Sequence, residues 1–303
     1  MSSASPVPET RELTGDDAIE TLKRTGGAKL ARDAFLRLRN ADGFSHARSL
    51  AFLTSMVAIQ ALIGLVGLAS VIHRGSLSRV IDQTIRQAIP GPAGHVLTTA
   101  VTQANRVGAQ HHYGALLIGL LGSIITATAA MGQVERGLNR IYGLERDRPT
   151  RSKYLRAFVT ALCVGTLTIS AFICLALGNE VVRVSTPSAV NHIWSLLRWP
   201  LGVVLIAGAV TVILRWTPRR HQPDLSWLSV ASATSVLLWV ASTAALGLFF
   251  RFSSTFGATY GPLAGVVALL LWSLFTSVSL FYGAAVAAQL EVVRADTPSL
   301  VAQ

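Results

Sequence analysis

The sequence predicts an all-α fold, a polytopic membrane bundle of six transmembrane helices with an amphipathic helical hairpin in its first outer loop. Of the 303 residues, 51% are hydrophobic and only 14% are charged, whereas soluble proteins carry about 25% charged residues. The apolar residues are concentrated in six segments that lack Asp, Glu, Lys, Arg and His altogether. These segments are continuous apolar runs, unlike the short alternating segments that are typical of membrane β-barrels.

Each charge-free segment is a candidate span. In chain order they are residues 49–72, 114–134, 157–179, 199–214, 225–250 and 260–290. A helix needs roughly 20 apolar residues to cross about 30 Å of hydrocarbon, and five of the segments exceed that length. The fourth is shorter, but Trp194, Trp199 and Trp216 flank it, as residues of an interfacial aromatic belt do. We therefore predict six spans.

The distribution of Lys and Arg predicts the orientation. Alternate connecting segments, beginning with the N-terminal one, hold 19 of the 26 Lys and Arg residues. Because cytoplasmic loops carry the excess of positive charge, we expect both termini in the cytoplasm and the protein in a bacterial inner membrane. The net charge of +11 then predicts membrane lipids as partners, anionic ones at the inner face. Basic and aromatic residues do not share one predicted face, so no nucleic-acid partner is expected.

Three units are expected along the chain: a polar, disordered tail over residues 1–28, a six-helix membrane domain over 29–292 and a short tail over 293–303. At the start of the membrane domain, Leu30, Ala34, Phe35 and Leu38 fall on one helical face that arginines surround. This pattern predicts a helix that lies in the membrane interface.

The first outer loop contains two amphipathic stretches, residues 77–89 and 95–107, separated by a Pro-Gly-Pro sequence at 90–92. Apolar residues at helical spacing on both sides of such a breaker predict the helical hairpin. Within the spans, small residues four positions apart predict close helix contacts. These are Gly261 and Gly265, Ala264 and Ala268, Gly283 and Ala287, and the series Ala115, Gly119 and Ser123.

The sequence offers no catalytic, cofactor or metal motif. It lacks a Walker-type phosphate loop and a G-x-S-x-G nucleophile motif, and its one close histidine pair, His111 and His112, is adjacent in sequence. Neighbouring residues point to different faces of a helix. We therefore expect no catalytic residue, no cofactor and no metal ion, and the protein is not expected to be an enzyme.

The candidate site comprises polar residues from two regions of the chain, which are predicted to line a cavity or its inner mouth. Gln60 lies midway along the first span, where it either makes an interhelical hydrogen bond or lines a cavity. The other residues follow the second span. They either fix the topology as a juxtamembrane charge cluster, or form a gate or head-group site. These residues are Gln133, Glu135, Arg136, Asn139 and Arg140.

Three stretches also carry a family resemblance: residues 49–57 (SLAFLTSMV), 132–143 (GQVERGLNRIYG) and 260–272 (YGPLAGVVALLLW) followed by 281–284 (FYGA). Together they resemble the YihY/BrkB family of bacterial inner-membrane proteins, in particular its YhjD-like branch, over about residues 30–292. The resemblance implies six membrane helices with both ends inside and a role in envelope integrity or export. Two departures stand out: Gln60 replaces a proline of many relatives, and residues 283–287 lack a glutamate that is frequent there.

These observations support two main hypotheses. In the first, the protein is transporter- or flippase-like and moves an envelope lipid or another amphiphile. In the second, it is a membrane scaffold without transport that holds envelope-assembly proteins or a second copy of itself. A membrane-embedded enzyme is a third and weaker interpretation.

Overall fold

The structure, a computed structural model, describes residues 5–10, 13–71, 91–110, 112–180, 188–253 and 263–296. Within these ranges it contains helices and loops and no β-strand. The described part of the chain forms nine helices. They are α1 (Gly15–Thr25), α2 (Gly27–Asn40), α3 (Gly43–Val71), α4 (Gly91–Gln110), α5 (His112–Ile141), α6 (Thr150–Glu180), α7 (Ser188–Trp216), α8 (Leu225–Phe252) and α9 (Leu263–Asp296). The predicted fold class is confirmed.

Six of these helices, α3 and α5 to α9, are long and apolar enough to cross a membrane. They coincide with the six charge-free segments, which confirms the predicted spans. The fourth span is longer in the structure than in the prediction, because α7 continues beyond its charge-free part at both ends. Trp199 and Trp216, near its two ends, are about half exposed, as expected of aromatic residues at a membrane interface.

The spans form a ring in chain order. Each span packs against the next, and α9 packs against α3 to close the ring. Helix α4 lies outside the series of spans and packs against α3, α5 and α9, with Leu97 and Val101 buried in a cluster that includes Trp272. The helical second half of the predicted hairpin is therefore present, whereas its first half, residues 77–89, lies outside the described residues.

Glycine allows close contact at several helix pairs. A Cβ atom on Gly119 of α5 would clash with the backbone of Gly64 on α3, and one on Gly283 of α9 would clash with Ser235 and the Ala231 carbonyl of α8. These contacts confirm the close packing predicted for Gly119 and Gly283, since helix backbones approach closely where side chains are absent.

The expected disordered tail over residues 1–28 is wrong for residues 15–25, which form α1. The Asp17 carboxylate accepts hydrogen bonds from the backbone N and the hydroxyl of Thr14, at 3.0 and 2.9 Å, and so caps the helix. Ala18 and Thr21 are buried, and the Gly15 backbone N donates to the Ser226 hydroxyl at 3.1 Å. The polar composition misled the prediction because α1 is held by packing against α8.

Helix α2 buries its apolar face in the protein. Leu30, Ala34 and Leu38 are buried in the main hydrophobic cluster, and α2 packs against α9. Phe35, which was expected on the same face, is 46% exposed, and Arg37, one of the surrounding arginines, is 7% exposed. The prediction of an interfacial helix is therefore corrected: the partner of this amphipathic face is the end of the last span.

Candidate functional site

One end of the ring gathers polar residues from several parts of the chain. We call it the loop face; it comprises residues 5–10, the α5–α6 loop (142–149), the α7–α8 loop (217–224) and the end of α9. Contacts between residues distant in sequence hold these segments together, such as the 3.0 Å hydrogen bond from the Thr10 hydroxyl to Glu291 of α9. Both described ends of the chain therefore lie on the same face.

Glu135 of α5 lies at the centre of this face, only 1% exposed. Its partner Arg148, in the α5–α6 loop, approaches it with Nη1 3.2 Å from Oε2. Arg148 also donates to the carbonyl oxygens of Thr217 and Pro218, at 2.6 Å each. One arginine thus joins the end of the second span to the segments that precede α6 and follow α7.

Asn139, one helical turn further along α5, makes a second connection between the same segments. Its Nδ2 donates to Asp147 Oδ1 at 3.0 Å, and its Oδ1 accepts a hydrogen bond from the Arg219 backbone N at 2.9 Å. Lys153 Nζ lies 2.6 Å from Asp147 Oδ2. We call the set Glu135, Asn139, Asp147, Arg148 and Arg219 the polar seal.

Two members of the polar seal have shifted pKa values. Partial burial alone would raise the pKa of Asp147, but hydrogen bonds from Lys153 and Asn139 and the charges of Lys153 and Arg136 lower it below its ordinary value. Burial lowers the pKa of Arg148, and the Glu135 carboxylate opposes that shift. The seal therefore depends on charged groups that stay paired.

The structure brings together only part of the predicted site. Glu135 and Asn139 share the polar seal, whereas Gln133 contacts His46 Nδ1 at 3.0 Å on another side of α5. Arg136 is half exposed, with its Nε 3.9 Å from Asp147, and Arg140 is half-buried.

Gln60 lies apart from the polar seal. It sits between α3 and α5, where its side chain faces Gly122. Its Oε1 is buried and has no hydrogen-bond partner among the described residues.

A second cluster of charges was missed by the sequence analysis. Arg220 and Glu291 form an ion pair at 2.6 Å, with side chains only 1% and 0% exposed. Arg220 also donates to the Pro8 carbonyl at 2.9 Å, and its guanidinium lies 4.6 Å from the centre of the Tyr142 ring. Together with the Thr10 hydroxyl, these contacts connect residues 5–10 to the α7–α8 loop and α9.

Arg37 ties α2 to the same cluster. Its Nε donates to Gln289 Oε1 at 3.0 Å, and its Nη1 donates to the carbonyls of Ser5 and Ile141 at 3.1 Å each. Burial lowers the pKa of Arg37.

One sequence signal could have revealed this second cluster of charges. It was the position of Glu291, which directly follows a charge-free run of residues and so had to be accommodated at a span end.

The arrangement offers charge pairing among its described residues. Among the described residues, no three His, Cys, Asp or Glu side chains gather as metal ligands. Cys163 and Cys174 are free thiols.

A comparison with protein families shows to which family the chain belongs. The family model described as virulence factor BrkB matches residues 34–301. The chain belongs to the BrkB family. Most of both clusters lies within the matched region of this BrkB chain, whereas Pro8 and Thr10, which contact Arg220 and Glu291, precede it.

Relatives of this BrkB chain are distant. It is similar to YfkH of Bacillus subtilis, whose name describes it as ribonuclease-like, at 23% identity over 66% of this chain and 73% of that protein. UPF0761 membrane proteins of Aromatoleum aromaticum and Delftia acidovorans are 24% and 23% identical over 80% and 77% of this chain. The chain spans 59% and 52% of the length of those two proteins. No solved structure gives a significant match.

Proposed function

We propose that this BrkB-family protein moves an amphiphile, such as an envelope lipid or its precursor, across a bacterial inner membrane and thereby supports envelope integrity. The loop face then lies in the cytoplasm, as the Lys and Arg distribution predicts. No catalytic step, cofactor or metal ion is part of this proposal. The single observation that carries it is the polar seal.

The polar seal has the features of a gate. A buried ion pair is stable only while both charges remain paired, because an unpaired buried charge is strongly destabilising. Glu135 belongs to α5, whereas Arg148 precedes α6 and binds the carbonyls that follow α7. Breaking these contacts would let water reach the charges and would release the ends of α6 and α7 from α5.

The interior of the spans suits an amphiphile better than an ion. Their charge-free segments contain hydroxyl groups, and many of the described ones bond to a carbonyl of their own helix, as Ser277 does to Ser273 and Thr128 to Ile124. Ser232 of α8 instead donates to the Ala207 carbonyl of α7 at 2.8 Å. Ion-coupled transporters usually require a charged group deep in the membrane, and none occurs in the charge-free segments.

The test is lipid movement in vesicles that contain the full-length protein. Fluorescent phosphatidylethanolamine and phosphatidylglycerol are placed in both leaflets, and a membrane-impermeant quencher measures how fast the inner pool becomes accessible. We expect faster exchange than in empty vesicles and a changed rate for Arg148→Gln. Exchange equal to that of empty vesicles for all correctly folded variants would contradict transport.

Helix α4 favours the scaffold as a second candidate function. It buries Leu97 and Val101 but presents His95, Thr99 and Gln103 to the outside, a polar surface that an envelope-assembly protein or a second copy could bind. Replacing Thr99 and Gln103 by Glu should then abolish function in cells and leave lipid exchange unaltered. Variants of the polar seal such as Arg148→Gln should show the opposite behaviour if the protein is a transporter.

A further inference from the structure

A basic groove lies on the loop face, between the first turns of α6 and the last turn of α7. It has a volume of about 580 Å³ and is lined by Arg156, Arg215 and Arg220 on its polar side. Its described lining includes no Asp or Glu. The groove is separate from the polar seal, since neither Arg156 nor Arg215 is a member of that set.

The buried arginine of the groove has an unused donor. The Arg220 side chain is 1% exposed, and its Nη2 binds Glu291 and the Pro8 carbonyl. Its Nη1, although buried, has no hydrogen-bond partner in the part of the chain that the structure describes. A buried donor without a partner is unfavourable, and an anionic oxygen in the groove would satisfy it.

Two further features add positive potential. Ser152, in the first turn of α6, also lines the groove, and the free N–H groups and dipole at a helix N-terminus favour an anion. Arg215 is half-buried and donates to the Pro223 carbonyl at 3.2 Å, which holds its guanidinium at the groove, while Arg156 is exposed. The negative charge of Glu291 compensates the positive charge of Arg220, so Arg156 and Arg215 supply the excess positive charge of the groove.

Part of the lining is apolar. Leu155, Val159 and Trp216 form this part and are 68%, 44% and 43% exposed. They lie at the ends of two membrane spans, Thr150–Cys174 and Leu196–Trp216. The groove therefore lies where a bilayer changes from hydrocarbon to head groups, and Leu155 and Val159 continue from it along α6.

We propose that this groove binds an anionic phospholipid, with its phosphate at Arg156, Arg215 and Arg220 Nη1 and an acyl chain against Leu155 and Val159. Arginine suits this role because its planar fork matches the oxygens of a phosphate. A free phosphate ion would leave the exposed apolar wall uncovered, whereas a phospholipid covers both parts of the lining. The inference goes beyond the proposed function and does not require transport.

The experiment measures lipids retained by the full-length protein. The protein is reconstituted in nanodiscs of phosphatidylcholine with a minority of phosphatidylglycerol, extracted, and examined by native mass spectrometry. We expect enrichment of phosphatidylglycerol over the bulk lipid. The variant Arg156→Ala/Arg215→Ala should lower that enrichment about thirtyfold, since each basic residue near a membrane surface contributes about 1 kcal/mol of attraction to anionic lipid and about 1.4 kcal/mol is a factor of ten.

A matched control removes the same charge at positions outside the groove. Arg39 and Arg146 are exposed and do not line the groove, so Arg39→Ala/Arg146→Ala should retain phosphatidylglycerol like the unaltered protein. Equal loss in both double variants would show that net charge alone attracts the lipid and would overturn the site. No enrichment in the unaltered protein would overturn it as well.

Two further measurements identify the ligand, and a single variant separates loss of binding from misfolding. Millimolar inorganic phosphate should not displace the lipid, and displacement would assign the site to a free anion instead. Replacing Leu155 and Val159 by Ser should weaken retention, because the acyl chain loses its apolar wall. Because Arg156 is exposed, the single variant Arg156→Ala is expected to fold, and unchanged retention in that variant and in the double variant would contradict the proposal.

Discussion

The two sides of the ring differ in whether their glycines meet a neighbouring helix. On the tight side, formed by α3, α5, α8 and α9, a Cβ atom added at Gly119 or Gly283 would clash with a neighbouring backbone or side chain. In the open pair, α6 and α7, a Cβ atom at Gly165 or Gly208 would have no described atom within 4 Å. The tight side is therefore fixed by packing within the membrane.

Besides packing against each other, the helices of the open pair are held by contacts at their ends and with neighbouring helices. The polar seal ties the start of α6 and the end of α7 to α5, and Thr211 and Ser232 connect α7 to α8 at 3.0 Å. The difference teaches that any large rearrangement should concern α6 and α7, because close-packed helices tolerate little displacement, whereas polar contacts that open can be replaced by contacts with water.

The largest effect is expected from breaking the tight side. Gly119→Leu should prevent recovery of folded, monodisperse protein, because a side chain would enter the space of the Gly64 backbone, which cannot move aside. Size-exclusion chromatography in detergent measures the outcome. A normal elution profile for this variant would contradict the tight contact between α3 and α5.

A second prediction concerns the charge pair that links α9 of the tight side to the loop after α7. Glu291→Ala should destabilise the protein by about 3 to 5 kcal/mol, because Arg220 would remain buried without its carboxylate. The double variant Glu291→Gln/Arg220→Gln should recover much of that loss. Thermal unfolding monitors both, and equal stability of the single and double variants would argue against coupling of the two residues.

Acidity should loosen the attachment of the open pair. The pKa of Asp147 is lowered in the folded protein, so this carboxylate contributes stability above its ordinary pKa of about 4 and loses it as the pH falls through the lower folded value. Melting temperatures from neutral pH to about pH 3 should therefore fall less in Asp147→Asn than in the unaltered protein. Parallel curves for the two proteins would mean that Asp147 does not contribute in this way.

The smallest effect is expected in the open pair. Gly165→Leu should change the stability by less than about 0.5 kcal/mol, since the added side chain meets no described atom. It is the matched control for Gly119→Leu, with the same substitution in the middle of another span. Loss of folded protein in Gly165→Leu would mean that α6 is as tightly packed as α5.

The spans could be predicted because their signal is local. A run of residues without charge reveals a span by itself, and Gly119 or Gly283 reveals a close contact through spacing alone. Arg37 and Glu291 could not be predicted in the same way. Their environment depends on partners far along the chain, such as Gln289 for Arg37 and Arg220 for Glu291, and only the folded ring brings these together.

The prediction of a disordered polar tail failed for the same reason. The polar composition of residues 15–25 predicts that water solvates them, and water would solvate them if no other part of the protein were near. The Ser226 hydroxyl, a contact more than two hundred residues away, gives Gly15 a partner, and Arg294 at 2.8 Å gives Asp17 one. Local patterns therefore predicted the part of the molecule that lipid surrounds, and they failed where protein surrounds polar residues.

The pairing of Arg220 with Glu291 also has a consequence for biosynthesis. Glu291 is translated 71 residues after Arg220, and it becomes available only when the last span enters the membrane. Until then Arg220 lacks this counterion and Arg37 lacks Gln289. Insertion of α9 is thus the step that supplies these partners, and a nascent chain that ends before it holds Arg220 without its carboxylate and Arg37 without its amide acceptor.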